Sequence, residues 1–455
     1  MEKAEVVICG AGIAGVSAAY SLAVEQNISN VVLVDENPPL SQTSDHSTEC
    51  YRNWWPGPDD AMVAFMNRSI DRLEMLARQS GNIFHLNRRG YLYCTARADK
   101  ARELEQSASE ISALGAGPLR VYKNSANASA YSPLQAEGFE NQPIGADLLL
   151  SPALIRSHFP YVSDQIIAAL HVRRAGWFSA QQLGMYLLQQ ARQHGVRLIH
   201  AKVAGVSLTA GRVNTVHLAN GAEIKTSVFV NAAGPRQAQV AQMLGVDLPV
   251  YNELHLKAAF KDTLGILDRS APLVILSDPQ RLNWSDEERP WLAEDDEYHY
   301  LLDELPPGLH TRPEGGADSP IILVLWEYHT RRVEPILPIP EDPLYPDVLL
   351  RGLPRLIPGM SSYLHKVSRP RVDGGYYTRT RENRPLICPL PVAGAYLIGA
   401  LSGFGLMAAC AAGELLAHHV VGAQLPHYAP SFSLERYQDA AYLSHLDSWY
   451  ASGQL

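Results

Sequence analysis

The chain is short of positive charge. Its 38 Lys and Arg stand against 47 Asp and Glu, a formal net charge of −9. Binding a nucleic-acid backbone rests on a cationic face, so this balance argues against a nucleic-acid partner. Cysteine is scarce and scattered: Cys9, Cys50, Cys94, Cys388 and Cys410 form no Cys-x-x-Cys pair. An odd, widely spaced set offers neither a disulfide framework nor zinc-ligand spacing, and no metal site is expected. No leader-like segment precedes the first apolar run, because MEKAEVVICGAG enters a strand pattern almost at once. A cytoplasmic, reducing location is therefore expected. Also missing is the unbroken run of about 20 apolar residues that a spanning helix needs. The nearest approach, residues 396–422, is interrupted by Ser402, Gly403, Gly405, Glu414, His418 and His419. It reads as strand, glycine turn and buried helix, with no spanning membrane segment.

What remains is a soluble, globular composition, 46% hydrophobic and 19% charged over 455 residues. That length exceeds one ordinary core and predicts two domains. Residues 5–9 form a short apolar run, followed by glycines at 10–15, a helical pattern to about Ala23, and a second apolar run from Val31 to Asp35. This is strand–turn–helix–strand at the length a parallel unit requires. Residues 60–79, 98–114 and 180–194 carry helical periodicity, and 196–230 reads as three or four short strands with turns at Ala210-Gly211 and Asn220-Gly221. From 250 to 375, strand-like runs at 255–260, 272–276 and 321–328 alternate with long Pro- and acid-rich loops at 278–297 and 303–319. Residues 385–420 return to strand, glycine turn and helix.

Gly10-Ala-Gly12-Ile-Ala14-Gly15 is a G-x-G-x-x-G turn in the context that gives it meaning. The first glycine makes the tight turn, the second lets backbone approach a pyrophosphate, and the third lets helix and strand pack closely. The anion would lie at the helix N-terminus, where free N–H groups and the helix dipole favour it. Asp35, ending the second strand, is placed to accept from the ribose hydroxyls of an adenosine, with Glu36 as the alternative.

The ordered set of segments resembles the D-amino-acid oxidase superfamily of FAD-dependent oxidoreductases, on the side of the sarcosine oxidase, dimethylglycine dehydrogenase and glycine oxidase branches. It comprises VVICGAGIAGVSAAYSLA, VVLVDE, the Ser/Thr loop ending in Arg52, GWFS at 176–179, VNAAGP at 230–235, GGYYTRTRENRPLI at 374–387 and IGALSGFGLMAACAAGELLA at 398–417. The resemblance implies an α/β fold. A Rossmann-like FAD-binding domain (1–85, 150–248 and 372–455) would join an α+β substrate domain (86–149 and 249–371) built on a mixed, mostly antiparallel sheet. It implies that Gly10, Gly12, Ala14, Gly15, Asp35 and Glu36 serve the ADP half of FAD. Ser44, Ser47 and Thr48 would run past the pyrophosphate and flavin, and Val203 would meet the adenine. Ala233 and Gly234 would lie beside the cofactor. Gly403, Phe404, Gly405, Leu406 and Met407 would form a helix start at the flavin's pyrimidine edge.

Departures from the family pattern limit the reading. Relatives with a substrate-clamping arginine before Asp/Glu-x-x-Pro have it where this chain has Tyr377, so Arg52 becomes the candidate to meet a carboxylate or the flavin, with Arg371, Arg379 and Arg381 as alternatives. Gly375 replaces the cysteine that holds FAD covalently in sarcosine oxidases, and His46 lies in an unfamiliar local pattern, so non-covalent FAD is expected. Val324 takes the place of a lysine that assists reaction with oxygen. His255, Lys257, Glu327 and His329 fall on predicted substrate-domain strands, each pair on one face; Arg52, Tyr377, His255 and Lys257 are the candidate catalytic set. The expected activity is hydride removal from the C–N bond of a small amine or amino-acid-like substrate, giving an imine, with oxygen or another electron acceptor. The alternatives left open are a dehydrogenase feeding a quinone or flavoprotein, oxidation of a 2-hydroxy acid, and an FAD-binding assembly protein without turnover.

Overall fold

The computed structural model describes residues 2–123, 131–364, 366 and 370–446; the expected domain stretches 1–85, 86–149, 249–371 and 372–455 each include residues outside these. Two large sheets organise the chain. The first has six strands in the order Arg197–His200, Val31–Asp35, Val6–Cys9, Phe229–Asn231, Ala395–Gly399 and Leu386–Pro389. Its neighbours are parallel except the last pair. The central strands VVIC and VVLVD are apolar on both faces because helices or a second layer cover each side. The helices Ile13–Tyr20 and Gly405–Val421 pack on one face; a four-stranded sheet that includes Val203–Thr209 and Arg212–Leu218 covers the opposite face over a separate core.

The second sheet has nine strands: Arg371–Arg379, Tyr251–Lys261, Ile321–Leu325, His310–Pro313, Leu273–Leu276, Tyr91–Thr95, Ala168–Val172, Ala146–Leu149 and Leu119–Tyr122. It is antiparallel except where Leu273–Leu276 meets Tyr91–Thr95 and where Leu119–Tyr122 meets Ala146–Leu149. Side chains alternate across it. Leu92, Cys94, Val274, Leu276, Ala258 and Val324 enter an outer core under the helix Tyr345–Leu356, whereas Tyr91, Leu273 and Ile275 belong to the core shared with the first sheet. Cross-strand register carries the second set across the sheet, so Tyr93, Ile275, His310, Leu325, Lys257 and Asp373 share the inner face.

The sheets do not divide at the boundaries expected from sequence. Ala168–Val172 and Arg371–Arg379, both assigned largely to the cofactor unit, are strands of the nine-stranded sheet. Which sheet a short apolar strand joins depends on the partner edge it finds, a non-local choice. The strand at 321 stops at Leu325, so Glu327 and His329 lie beyond it and do not share a face: Glu327 turns to His255, while exposed His329 stacks on Tyr300. The 196–230 region holds five strands rather than three or four.

Among the described residues no helix is long and apolar enough to cross a membrane. In the apolar stretch near the C-terminus, Glu414 is buried inside the helix Gly405–Val421 and satisfied by Arg68 (Nε–Oε2 2.7 Å) and Arg72 (Nη1–Oε1 2.7 Å). Those two bonds tie that helix to the long helix Ala61–Ser80. All five cysteines are buried and free.

Candidate active site

The glycine turn shows which of its glycines serve the protein and which serve a ligand. A Cβ on Gly10, at φ +111°, would come 2.3 Å from the Ala232 carbonyl oxygen; one on Gly15 would come 1.9 Å from the Gly10 carbonyl oxygen. Packing alone excludes side chains at both. A Cβ on Gly12 would meet only Ser44 Oγ, at an ordinary 3.5 Å. Nothing in the protein requires glycine there, yet Gly12 faces a cavity of about 500 Å³. Its bareness leaves backbone open to whatever fills that space. The Ser44 hydroxyl accepts from the Ile13 N–H (3.0 Å), so the loop after the acid is fastened to the helix N-terminus. Asp35 accepts from the Ala11 N–H (2.7 Å) and the Asn37 N–H (2.8 Å), which shapes the turn. Its carboxylate has acceptor capacity left for a ribose.

The cavity runs from this turn to the edge of the nine-stranded sheet. Gly10, Gly12, Ala14, Asp35, Glu36 and Ser44 line one end. Val203, Ala233 and Gly234 also line it, and Gly405 opens the helix Gly405–Val421 into the far end. A Cβ on Gly405, too, would meet protein only at 3.5 Å. The other residues expected at the cofactor lie behind this wall. Leu406 and Met407 are buried in the core, Phe404 packs edge-on against Trp55 at 5.2 Å, and Gly403 and Gly15 do not reach the lining. Ser47 and Thr48 turn their carbonyl oxygens to Lys257 Nζ (2.9 Å) and to Arg312 Nη2 (2.7 Å). The sequence reading missed the segment around Pro335, Leu337, Pro338 and Ile339, which closes over the cavity. Proline spacing alone carries no sign of that role.

The donor set fits FAD. Two helices present their N-termini to one elongated space, both without acidic residues in the first turn, an arrangement suited to anionic groups. Bare backbone lies where a pyrophosphate must approach, and carboxylates stand at the ribose end.

On the inner face of the nine-stranded sheet the candidate catalytic residues separate into two groups. Arg52, on the short strand Cys50–Arg52, is 2% exposed. Its guanidinium lies over Trp55 (4.6 Å) and Tyr91 (5.8 Å), and its Nε donates to the Trp54 carbonyl (3.0 Å). Among the described residues it has no carboxylate partner. The Trp55 indole N–H is buried and also without an acceptor. In the second group, His255 stacks on Tyr377 (4.0 Å, 21°) with Glu253 Oε2 3.2 Å from Nε2 and Glu327 Oε1 2.9 Å from Nδ1. Burial opposes its protonation, but the two carboxylates outweigh burial and hold the imidazole above its ordinary value. Glu253 is held in turn by Arg379 Nη1 at 2.8 Å. Burial also pushes the Tyr377 phenol well up, so it remains a neutral hydroxyl.

Lys257 is committed elsewhere, to the Ser47 carbonyl and to Asp373 Oδ1 at 3.3 Å, and Asp373 also faces His46 Nδ1 at 3.7 Å. Val324, matched to the family's oxygen-assisting lysine, is fully buried in the outer core and points away from the cavity side. The sequence match at this strand therefore places the residue on the wrong face, and its neighbours Leu323 and Leu325 supply no cation on the inner one.

Comparisons with known proteins agree with this geometry. A family model described as FAD dependent oxidoreductase (DAO) matches residues 5–419. Rat mitochondrial dimethylglycine dehydrogenase is 23% identical over 256 residues, 56% of this chain but only 26% of that protein. Among solved structures, L-proline dehydrogenase from P. horikoshii superposes with a TM-score of 0.73 at 18% identity, over 96% of this chain and 98% of the other. Glycine oxidase from Geobacillus kaustophilus gives 0.72 at 14% identity, over 95% and 99%. With a family match that runs through almost the whole chain and a fold built around a cavity that suits its cofactor, the protein belongs to the DAO family of FAD-dependent oxidoreductases.

Proposed function

We propose that the protein oxidises the C–N bond of a small amino acid or N-substituted amino acid to an imine, with the substrate's carboxylate on Arg52. The observation that carries this reading is the buried guanidinium with no carboxylate partner. A buried charge is costly unless something pairs it, and a substrate carboxylate supplies a bidentate partner. The relatives agree in kind: one is named for dimethylglycine, one for proline and one for glycine, all amino acids or N-methylated amino acids.

FAD, when bound, supplies the two-electron acceptor for the substrate's hydride. The protein's own part is to hold the carboxylate on Arg52, whose guanidinium is oriented by the Trp55 and Tyr91 rings, and to present the Gly405 helix start toward the cofactor. The chain is inferred to hold FAD without a covalent bond. A Cβ at Gly375 would already crowd Thr43 Cα at 3.1 Å, and of the five cysteines only Cys9 reaches the cavity, its thiol pushed up to about 12 chiefly by burial.

A second reading concerns the acceptor. With no lysine on the inner face at 323–325 and Lys257 tied to Asp373, a dehydrogenase that passes electrons to something other than oxygen is favoured over an oxidase. One experiment tests both readings: the visible spectrum of the purified protein under anaerobic conditions, before and after adding N-methyl amino acids, glycine, proline or lactate. Bleaching by an amine supports the proposed chemistry. Bleaching by lactate alone points to hydroxy-acid oxidation, and no bleaching by any of them removes the proposal. Slow recovery of colour in air would favour the dehydrogenase.

A further inference from the structure

We propose that Glu327 is the residue that receives the substrate nitrogen, selecting a substrate whose oxidation product is a cation and therefore an amine rather than a 2-hydroxy acid. This rests on the C–N oxidation proposed above. Glu327 lies in the two residues beyond the Ile321–Leu325 strand, between buried Trp326 and Tyr328. One oxygen, Oε1, is fixed 2.9 Å from His255 Nδ1. The other, Oε2, has no hydrogen-bond partner among the described residues and is not sealed, for the side chain keeps 31% of its accessible surface. That exposure leaves the carboxylate reachable by a small molecule.

Position and charge support the assignment. Burial opposes ionisation of Glu327, but His255 first, then His310 and Arg379, hold the carboxyl below its ordinary value, so it is anionic at neutral pH. Tyr345 and Tyr377 also lie within its field. Strand register puts His310 on the inner face beside Leu325 and Ile275, with Ile275 next to Tyr93, and it is on this face that Arg52 lies over Tyr91. His255 does not need Glu327 as its only counterion, because Glu253 is already 3.2 Å from its other nitrogen. An amino acid bears its carboxylate and its nitrogen on one carbon, so Arg52 would take the carboxylate and Glu327 would stand by the nitrogen, which is neutral on binding and becomes positive only as hydride leaves.

The step balances without a further reagent. The free-base amine loses hydride, so that the C–H electron pair passes to bound FAD while the nitrogen lone pair forms C=N. The nitrogen becomes positive as the bond breaks, and a fixed carboxylate beside it stabilises that charge in the transition state. Oxidation of a hydroxy acid ends in a neutral ketone and gains nothing comparable.

The test uses the FAD-loaded protein and its Glu327→Gln and Glu327→Asp variants. Two quantities are measured: the anaerobic rate of flavin reduction by the amine that bleaches the parent, and the spectral titration of the oxidised flavin with propionate, a carboxylate without nitrogen. Glu327→Gln should slow reduction by about 100-fold, propionate binding should change by less than about threefold, and Glu327→Asp should recover part of the rate. Equal rates in parent and Glu327→Gln would overturn the assignment. So would losses of rate and propionate binding in parallel in both variants, the mark of a merely structural carboxylate. If no amine reduces the parent, it is the C–N reading that fails, and this inference falls with it.

Discussion

Arg52 and His255 show how single residues reveal a site that no motif names. Arg52 has given up water for two aromatic faces and one carbonyl, with no counterion among the described residues. Charge-assisted hydrogen bonds contribute about 1.5–3 kcal/mol each, so Arg52→Met should weaken binding of a carboxylate such as propionate by roughly 10- to 150-fold. The same change removes an unpaired buried cation, and the variant should melt no lower than the parent. Flavin-perturbation titration and thermal melting check the two halves. His255 makes a prediction in pH. Its folded-state value is raised by Glu327 and Glu253 against the opposing effect of burial. Its contribution is therefore fully present below the unfolded value of about 6.5 and is lost as pH rises through the raised folded value. The melting-temperature gap between the parent and His255→Asn should narrow as pH is raised from about 6 to about 9; a gap that stays constant would show that the imidazole is not charged. Arg52 and His255 were legible as candidates in the sequence. Their pairings were not, because Glu253 and Glu327 meet His255, and Arg379 meets Glu253, only through strand pairing and the turn after Leu325.

At the scale of elements, the strand–turn–helix at Val6–Tyr20 was readable because its signal is local, a tight turn and the close packing of Gly15 on the Gly10 carbonyl within one short segment, even though Gly10 also answers to the distant Ala232 carbonyl. The segment over the cavity is the opposite case. Residues 335–339 have no regular structure, and Tyr376 fixes them through its hydroxyl, which accepts from the Ile336 N–H (3.0 Å) and donates to the Ile336 carbonyl (2.8 Å). Val333 N–H donates to the Asn252 carbonyl at 2.9 Å, and Arg332 lies over the Tyr251 ring at 4.1 Å. Tyr376→Phe removes both contacts to Ile336. At about 1–3 kcal/mol for backbone groups left without a partner, FAD should dissociate roughly 5- to 150-fold faster, followed by the rise in flavin fluorescence on dilution. An unchanged release rate would mean that the segment does not gate the cofactor. Ile336 and Leu337 are themselves about half exposed, at 55% and 53%, so the contact to Tyr376 rather than burial holds this stretch down.

For the whole molecule, the cavity is bounded by parts of both sheets, with Gly10 to Glu36 on the first and Asp373 to Tyr376 on the second. A cofactor there joins the two cores. FAD-free protein should therefore melt below the FAD-loaded form, and free FAD at 100 times its dissociation constant should add about 2.7 kcal/mol of stability; coincident melting curves would contradict a shared cavity. The sequence alone determined the glycine turn and the acid that follows it, because a dinucleotide site is built from short-range geometry that repeats wherever it occurs. It also carried the order of segments that places the chain in its family. Only the tertiary structure decided which sheet Ala168–Val172 and Arg371–Arg379 join, that Val324 faces away from the cofactor side, and that Glu327 meets His255. Those outcomes depend on strand register across the nine-stranded sheet, where a shift of one residue exchanges the two faces, and no local pattern fixes a register between strands as distant in sequence as Tyr91–Thr95 and Leu273–Leu276.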